Sequence, residues 1–448
     1  MTETEQRRTI AESNPVGAGR ALPAGSPVAD MVRPLVGALL GDDIAIRFAF
    51  WDGSSIEPRS RPAVATVRFA SADAVRRVLW MPNELGLGRA YVAGDLDLDG
   101  DIFAAVAALR GSKPAAGVVA GIKAVSTAID AARRIGALGR PLPPPPEEAR
   151  LDGWRHSLHR DSRAISHHYD VGNEFYRLVL GSSMTYSCAR FVEPTSTLEE
   201  AQAAKHDLVC RKLGLHERPG TRLLDVGCGW GSMAMHAADR YGARVVGVTI
   251  SKEQAELARR RVADAGLSEL VEIRLQDYRE LGGETFDAIS SIGMSEHVGH
   301  DKMDRYFSTL RAALRPQGRL LNHAISSVGG STLGRTSFVR HYVFPDGELL
   351  DVGRTVLSME AAGFEVRDVE SLREHYALTL RQWVANLEAH WDRAVALVGV
   401  PRANIWRLYM AGSAVGFEDG GIGIHQVLGV VPDADGTSGM PSTRVDWH

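Results

Sequence analysis

Between Arg222 and Met233 an apolar run, Arg222-Leu223-Leu224-Asp225-Val226, passes directly into three glycines at alternate positions, Gly227, Gly229 and Gly231. A helical pattern begins at once with Ser232-Met233. A run this short suits a central strand, and glycines permit positive φ and close backbone approach. The feature commits the chain to strand, tight turn and helix, the unit of a parallel sheet with helical crossovers. Further β-branched runs at Arg244–Val248, Val271–Leu275, Phe286–Ser290 and Arg319–His323 alternate with helical patterns, as such a sheet requires. By itself the G-x-G-x-G spacing marks a nucleotide-like site that dinucleotide folds share. The acid that a dinucleotide site carries at the end of its next strand is missing, because Val245-Val246-Gly247-Val248 is followed by Thr249-Ile250-Ser251. That argues against NAD. After the third strand, Gln276-Asp277-Tyr278 offers a carboxylate and a ring to an adenine, although taken alone it reads more readily as a strand-end turn.

With 448 residues, 44% hydrophobic and 24% charged, the chain exceeds one small domain, and two are expected. The run Pro141-Leu142-Pro143-Pro144-Pro145-Pro146 can neither continue a helix nor join a central strand, and is expected to separate them. The resulting division is a tail at 1–30, a small domain at 31–140, a linker at 141–165, the large domain at 166–430 and a tail at 431–448. A net charge of −4 carries no signal for nucleic acid. Cys188, Cys210 and Cys228 lack CxxC spacing, so neither a disulfide framework nor a zinc site is expected. His156, His159, His167 and His168 give no convincing ligand set, and no metal is expected. The N-terminus lacks the apolar run of a signal peptide, and Lys123, Asp130, Arg133 and Arg134 interrupt the longest weakly polar stretch, Pro114 to Leu138. A cytoplasmic protein without a transmembrane helix is expected.

Linked motifs add a resemblance: His168-Tyr169-Asp170-Val171-Gly172-Asn173, Met184-Thr185-Tyr186-Ser187-Cys188, Leu224 to Gly231, Val246 to Ser251, Gln276-Asp277-Tyr278 and Gly293-Met294-Ser295-Glu296-His297-Val298-Gly299. In order and spacing they closely resemble the cyclopropane fatty acid synthases. Leu85-Gly86-Leu87-Gly88-Arg89-Ala90-Tyr91-Val92-Ala93-Gly94 resembles the signature of the smaller N-terminal domain in bacterial members acting on phospholipids. The resemblance implies an α/β fold: a Rossmann-like class I methyltransferase sheet with helices on both faces, plus a smaller α+β N-terminal domain. It implies S-adenosylmethionine held by Tyr186, Ser187, Asp225, Gly227, Gly229, Gly231, Thr249, Ile250, Gln254, Gln276, Asp277 and Tyr278. It also implies a bicarbonate ion, with Cys188, Glu296, His323, the backbone of Ile325 and Tyr376 as its ligands. Each of these has a structural reading of its own: Cys188 as a small apolar residue, His323 and Tyr376 as core, Glu296 as a helix start.

The chemistry so implied is transfer of a methyl carbon to the double bond of an unsaturated phospholipid acyl chain. An alkene is a weak nucleophile and needs a strong donor held close in a dry cavity. The resulting carbocation suits aromatic faces, for which Tyr186, Phe191, Tyr376 and Phe417 are candidates. A small bound anion suits the proton removal that closes a cyclopropane, with Glu296 orienting it. The alternative is a hydride shift to a methylene branch, reduced by a partner reductase. Ser413, where many members carry cysteine, together with Arg89 and Ser295, departs from the family pattern. A small-molecule N- or O-methyltransferase and a non-catalytic lipid-binding protein are the competing classes. Lys113, Lys123, Arg133, Arg134, Arg140, Arg150, Arg155, Arg160 and Arg163 suit peripheral docking on an anionic inner membrane face, or form a solvated helical face. Homo-oligomer formation stays open.

Overall fold

The computed structural model describes residues 26–41, 43–112, 126, 129–149, 171–331 and 334–447. The motif residues His168, Tyr169 and Asp170, the histidines 156, 159 and 167, and the basic residues 113, 123, 150, 155, 160 and 163 lie outside them. The chain divides into two units, one of residues up to Glu147 with Val400–Leu408, the other of Glu148–Gly399 with Tyr409 onward.

The smaller unit is α+β. Its strands β1 (Ile46–Ala49), β2 (Ser55–Ile56), β3 (Ala65–Phe69) and β4 (Leu96–Gly100) form a sheet in the order β2-β1-β3-β4, with only β1 and β3 parallel. Phe48, Phe50, Val67 and Phe69 fill its core. The helix Val28–Leu40 begins inside the segment expected as a tail, because Val28 and Ala29 are buried in that core. The Leu85–Gly94 signature folds as the helix Glu84–Val92, capped by Asn83 and burying Leu85, Ala90 and Val92.

In the larger unit the expected strands appear as β5 (Arg222–Val226), β6 (Arg244–Thr249), β7 (Val271–Leu275), β8 (Phe286–Ile292) and β9 (Leu314–Ser327). All five run parallel. The two-residue strand β10 (Leu350–Asp351) pairs with the end of β9. β11 (Glu365–Ser371) and β12 (Ile422–Val430) add an antiparallel edge, giving the order β11-β12-β9-β8-β5-β6-β7. Side chains of β5, such as Leu223 and Leu224, are fully buried on opposite faces in separate clusters, so the sheet is covered by helices on both sides. The chain runs outward from β5 through β6 and β7, then returns to the other side of β5 with β8. The order therefore reverses beside β5, where open α/β sheets bind ligands at the carboxyl ends of their strands.

Two other expectations change. Of the segment expected as a tail, residues 431–447 are not loose: Val431 donates its N–H to the Gly318 carbonyl at 2.9 Å, and Trp447 is buried against the sheet helices, withdrawing a large apolar surface from water. The helix Trp391–Glu418 breaks at Gly399, whose φ is 79°, and residues 400–408 belong with the smaller unit. Among the described residues no helix is long and apolar enough to cross a membrane.

Candidate functional site

The glycine turn sits at the reversal point. Gly227 and Cys228 both donate N–H groups to the Val248 carbonyl at the end of β6, at 2.9 and 3.0 Å. This fixes the loop against the neighbouring strand. Gly227 and Gly231 have φ of 72° and 82°, so a side chain at either would hold the backbone in the disfavoured left-handed region. Gly231 caps the helix Ser232–Tyr241 without a side-chain bond. It thus shapes the turn, and the cavity beside it is lined by Asp225, Gly227 and Gly229 instead.

The other residues expected at the cofactor line the same cavity, namely Tyr186 and Ser187, then Thr249, Ile250 and Gln254, then Gln276, Asp277 and Tyr278. Thr249 Oγ1 donates to Gln254 Oε1 at 2.9 Å, and Ser251 caps the helix that carries Gln254. Asp277 is held by Arg279, which donates to both carboxylate oxygens at 2.8 and 2.7 Å. Burial works to raise the Asp277 carboxyl, but the Arg279 bonds overcome it and hold it below its ordinary value. Asp225 accepts Ser290 Oγ–H at Oδ1, while its buried Oδ2 has no partner. Burial pushes Asp225 up to about 6, against the opposing Ser290 bond and the Lys205 charge. An orphaned carboxylate oxygen beside a glycine turn fits an amine-bearing nucleotide cofactor such as S-adenosylmethionine.

Several contributors escaped the sequence reading. Met184 adopts φ 54°, rare for a non-glycine, where the chain turns into the cavity ahead of Tyr186 and Ser187. The helix Leu198–Lys212 grips that segment twice, Gln202 Nε2 donating to the Ser187 carbonyl at 2.9 Å and Lys205 Nζ to Ser187 Oγ at 3.0 Å. Gln202, Lys205 and His206, at i, i+3 and i+4, form a buried polar stripe that was the available signal. Asn173, at the end of the first motif, accepts Trp230 Nε1–H at 2.8 Å and so ties that motif to the glycine turn.

None of Cys188, Glu296, His323, Ile325 and Tyr376 lines this cavity, yet backbone links gather them beside it. The Leu372 carbonyl accepts both the Cys188 thiol at 3.6 Å and the Tyr376 N–H at 3.0 Å. Leu372 in turn donates its N–H to Ile424, which stands opposite Ile325 in the β12–β9 ladder. Ile325 donates its N–H to Glu296 Oε1 at 2.7 Å, so that donor is engaged by the carboxyl rather than offered to an anion. His323, two residues earlier on β9, shares the face of Ile325.

Two buried atoms of this group, Glu296 Oε2 and His323 Nε2, have no partner. Burial pushes Glu296 up to about 7, opposed by the Ile325 bond, and drives His323 well below its ordinary value. His323 accepts Gln426 Nε2–H at Nδ1, which leaves its one proton on Nε2. A neutral imidazole and a readily protonated carboxyl are therefore donors for a small oxyanion, and these residues fit bicarbonate. Burial raises the Cys188 thiol, whose S–H also reaches the Ala189 carbonyl, so it is no thiolate.

Ring contacts join the two parts. Phe417 and Tyr376 lie 4.7 Å apart between centroids, Tyr376 and Trp383 6.0 Å, Trp383 and Tyr186 5.3 Å, Tyr186 and Tyr176 5.8 Å, and Tyr176 and Trp230 4.7 Å. The chain of rings runs from Trp230 on the glycine turn to Tyr376, whose N–H shares the Leu372 carbonyl with Cys188. Phe191 stands outside it, partly exposed, with its N–H on His375 Nδ1.

Comparison with known proteins agrees with this geometry. The family model described as mycolic acid cyclopropane synthetase matches residues 156–427. A probable fatty acid methyltransferase of Mycobacterium tuberculosis is 46% identical over 80% of this chain and 85% of its own. Another of that name, from Pseudomonas putida, is 41% identical over 93% of this chain and 100% of its own. Among solved structures, mycolic acid cyclopropane synthase CmaA1 complexed with SAH and CTAB is 36% identical, with a TM-score of 0.56 over 60% of this chain and 97% of that one.

Proposed function

This chain belongs to the mycolic acid cyclopropane synthetase family of S-adenosylmethionine-dependent methyltransferases, and on that premise we propose that it alkylates the cis double bond of an unsaturated phospholipid acyl chain, closing it to a cyclopropane. The observation that carries the reading is the unbroken set of aromatic rings that leads from Trp230 on the glycine turn through Tyr186 and Trp383 to Tyr376 and Phe417. A small polar acceptor has no use for such a wall, whereas a carbocation on an acyl chain is stabilised by ring faces and is not trapped by them.

S-adenosylmethionine, held by the turn and by Thr249, Gln254 and Asp277, supplies an activated methyl group. Tyr186 and Trp383 exclude water and face the electron-poor carbon. Glu296, His323 and Tyr376 would hold bicarbonate, which would supply a base for the proton lost from the new methyl group. Ile325 anchors Glu296 Oε1, and a neutral Glu296 would offer its Oε2 proton to that anion and so avoid repulsion between the two acids. Cys188 lies behind, orienting the Leu372 carbonyl and the start of the Tyr376 helix. A phospholipid acceptor places the enzyme at a membrane surface. Arg133, Arg134 and Arg140 are exposed for such contact, although Arg134 also pairs with Asp130.

The name fatty acid methyltransferase, carried by the two relatives above, specifies no cyclopropane and leaves room for a second product, the methylene branch formed by hydride shift. The test is incubation with methyl-labelled cofactor and oleoyl phospholipid vesicles, followed by mass spectrometry of the released acids. Label gained as one CH2 unit in an acid resistant to ozonolysis supports the cyclopropane. An ozonolysis-sensitive acid with the same gain supports the methylene branch, and label confined to the headgroup or to small amines overturns both.

A further inference from the structure

Lys205 is an ammonium group sealed in the larger unit, 1% exposed, with one hydrogen-bond partner, the uncharged Ser187 Oγ. No carboxylate pairs with it among the described residues. A buried cation with no carboxylate in salt-bridge contact is costly, so its retention suits an anion that arrives from outside. Lys205 and Asp225 both line the cofactor cavity, at the end where Ser187 and the start of the glycine turn meet. Asp225 presents there the opposite charge, also incompletely satisfied at Oδ2. One unpaired cation and one half-paired carboxylate in a single cavity match a zwitterion.

We propose that Lys205 is the receptor for the carboxylate of the cofactor's amino-acid end, with Asp225 taking its ammonium group. Ser187 fixes the ammonium of Lys205 in place and shares in holding the ligand carboxylate. Burial draws Lys205 down to about 8, partly offset by Cys188 and Asp225, so it stays charged at neutral pH and is no general base there. The inference concerns the donor site alone, and a failure to alkylate phospholipid leaves it standing.

The test compares two ligands by calorimetric titration, S-adenosylhomocysteine and its decarboxylated analogue, which keeps the nucleoside, thioether and amine. The native protein is expected to bind the analogue about tenfold to hundredfold more weakly, the loss of one charge-assisted hydrogen bond. Lys205→Met is expected to weaken S-adenosylhomocysteine by a similar factor and to leave the analogue's Kd within about twofold. Retained binding of the analogue also reports that the variant is folded. Asp225→Asn is expected to weaken both ligands, since both carry the amine. Equal affinity of the native protein for the two ligands overturns the proposal without recourse to any variant. So does equal weakening of both by Lys205→Met, or weakening of neither.

Discussion

Glu296 Oε1 accepts the backbone N–H of Ile325 at 2.7 Å, while Oε2 of the same carboxyl is buried without a partner. One oxygen is anchored to the strand and the other is presented. The anchoring bond favours ionisation, burial opposes it more strongly, and the group is left at about 7. The carboxyl is thereby poised to hold its proton on the presented oxygen.

Glu296→Gln keeps an acceptor for Ile325 and removes the titration. A folded carboxyl raised from 4.5 to about 7 contributes stability that is complete below the unfolded value and is lost as pH rises through 7. The native protein is therefore expected to lose, relative to Glu296→Gln, on the order of 3 kcal/mol between pH 4.5 and 8. Urea denaturation of both across that range checks this. Taking the difference between the two proteins cancels the like-signed effect of Asp225, which also stands above its ordinary value. Methyl transfer by the variant is expected to fall by about a hundredfold or more.

Tyr376 packs its ring on Phe417 and edgewise on Trp383. Tyr376→Phe keeps both contacts, so stability should change by less than about 1.5 kcal/mol while turnover drops by about tenfold or more through loss of the hydroxyl. Tyr376→Ala leaves a cavity between the two rings and is expected to cost about 3–5 kcal/mol. Equal turnover of native protein and Tyr376→Phe would remove the phenol from the reaction and leave the ring as its contribution.

All three cysteines are buried, and burial raises each thiol above its ordinary value. Thiolates are the reactive form, so iodoacetamide at neutral pH should leave the native protein unmodified and label Cys188, Cys210 and Cys228 together once urea unfolds it. Intact-mass spectrometry before and after denaturation reads this directly. Rapid native labelling at Cys188 would instead indicate an exposed, activated nucleophile.

The parts of this structure that were legible in the sequence are those built from local pattern. β5 and β7 appear at their expected residues because a short apolar run bounded by turn residues leaves a strand few alternatives. The extension of β9 back to Leu314 was hidden by Pro316 and by Gln317, which bends through φ 60°. β12 was hidden by Gly423 and Gly429, which weaken a strand pattern and are tolerated here between paired neighbours. Gln202 and Lys205 were missed because their helix has polar residues on its buried side as well as its exposed one. Trp383, two turns beyond Tyr376 on the same helix, looks like ordinary core until Tyr186 is seen against it. The grouping of Cys188 with Tyr376 depends on the Leu372 carbonyl, 184 residues from Cys188, and no local pattern encodes such a link. Family resemblance supplied it.

Gly227 and Gly229 offer a last test, because they pay the same backbone penalty in different surroundings. Both have positive φ, 72° and 55°, so alanine at either is expected to cost about 1–2 kcal/mol of stability. At Gly227 the new methyl would stand 3.3 Å from the sulfur of Met294, a side chain flexible enough to yield. At Gly229, which lines the cavity, nothing lies within 4 Å. A methyl there takes up cofactor space. Measured where both variants remain folded, Gly229→Ala should raise the Kd for S-adenosylhomocysteine by about tenfold or more, and Gly227→Ala by less. Unchanged affinity in Gly229→Ala would mean that the turn serves the fold and does not approach the cofactor.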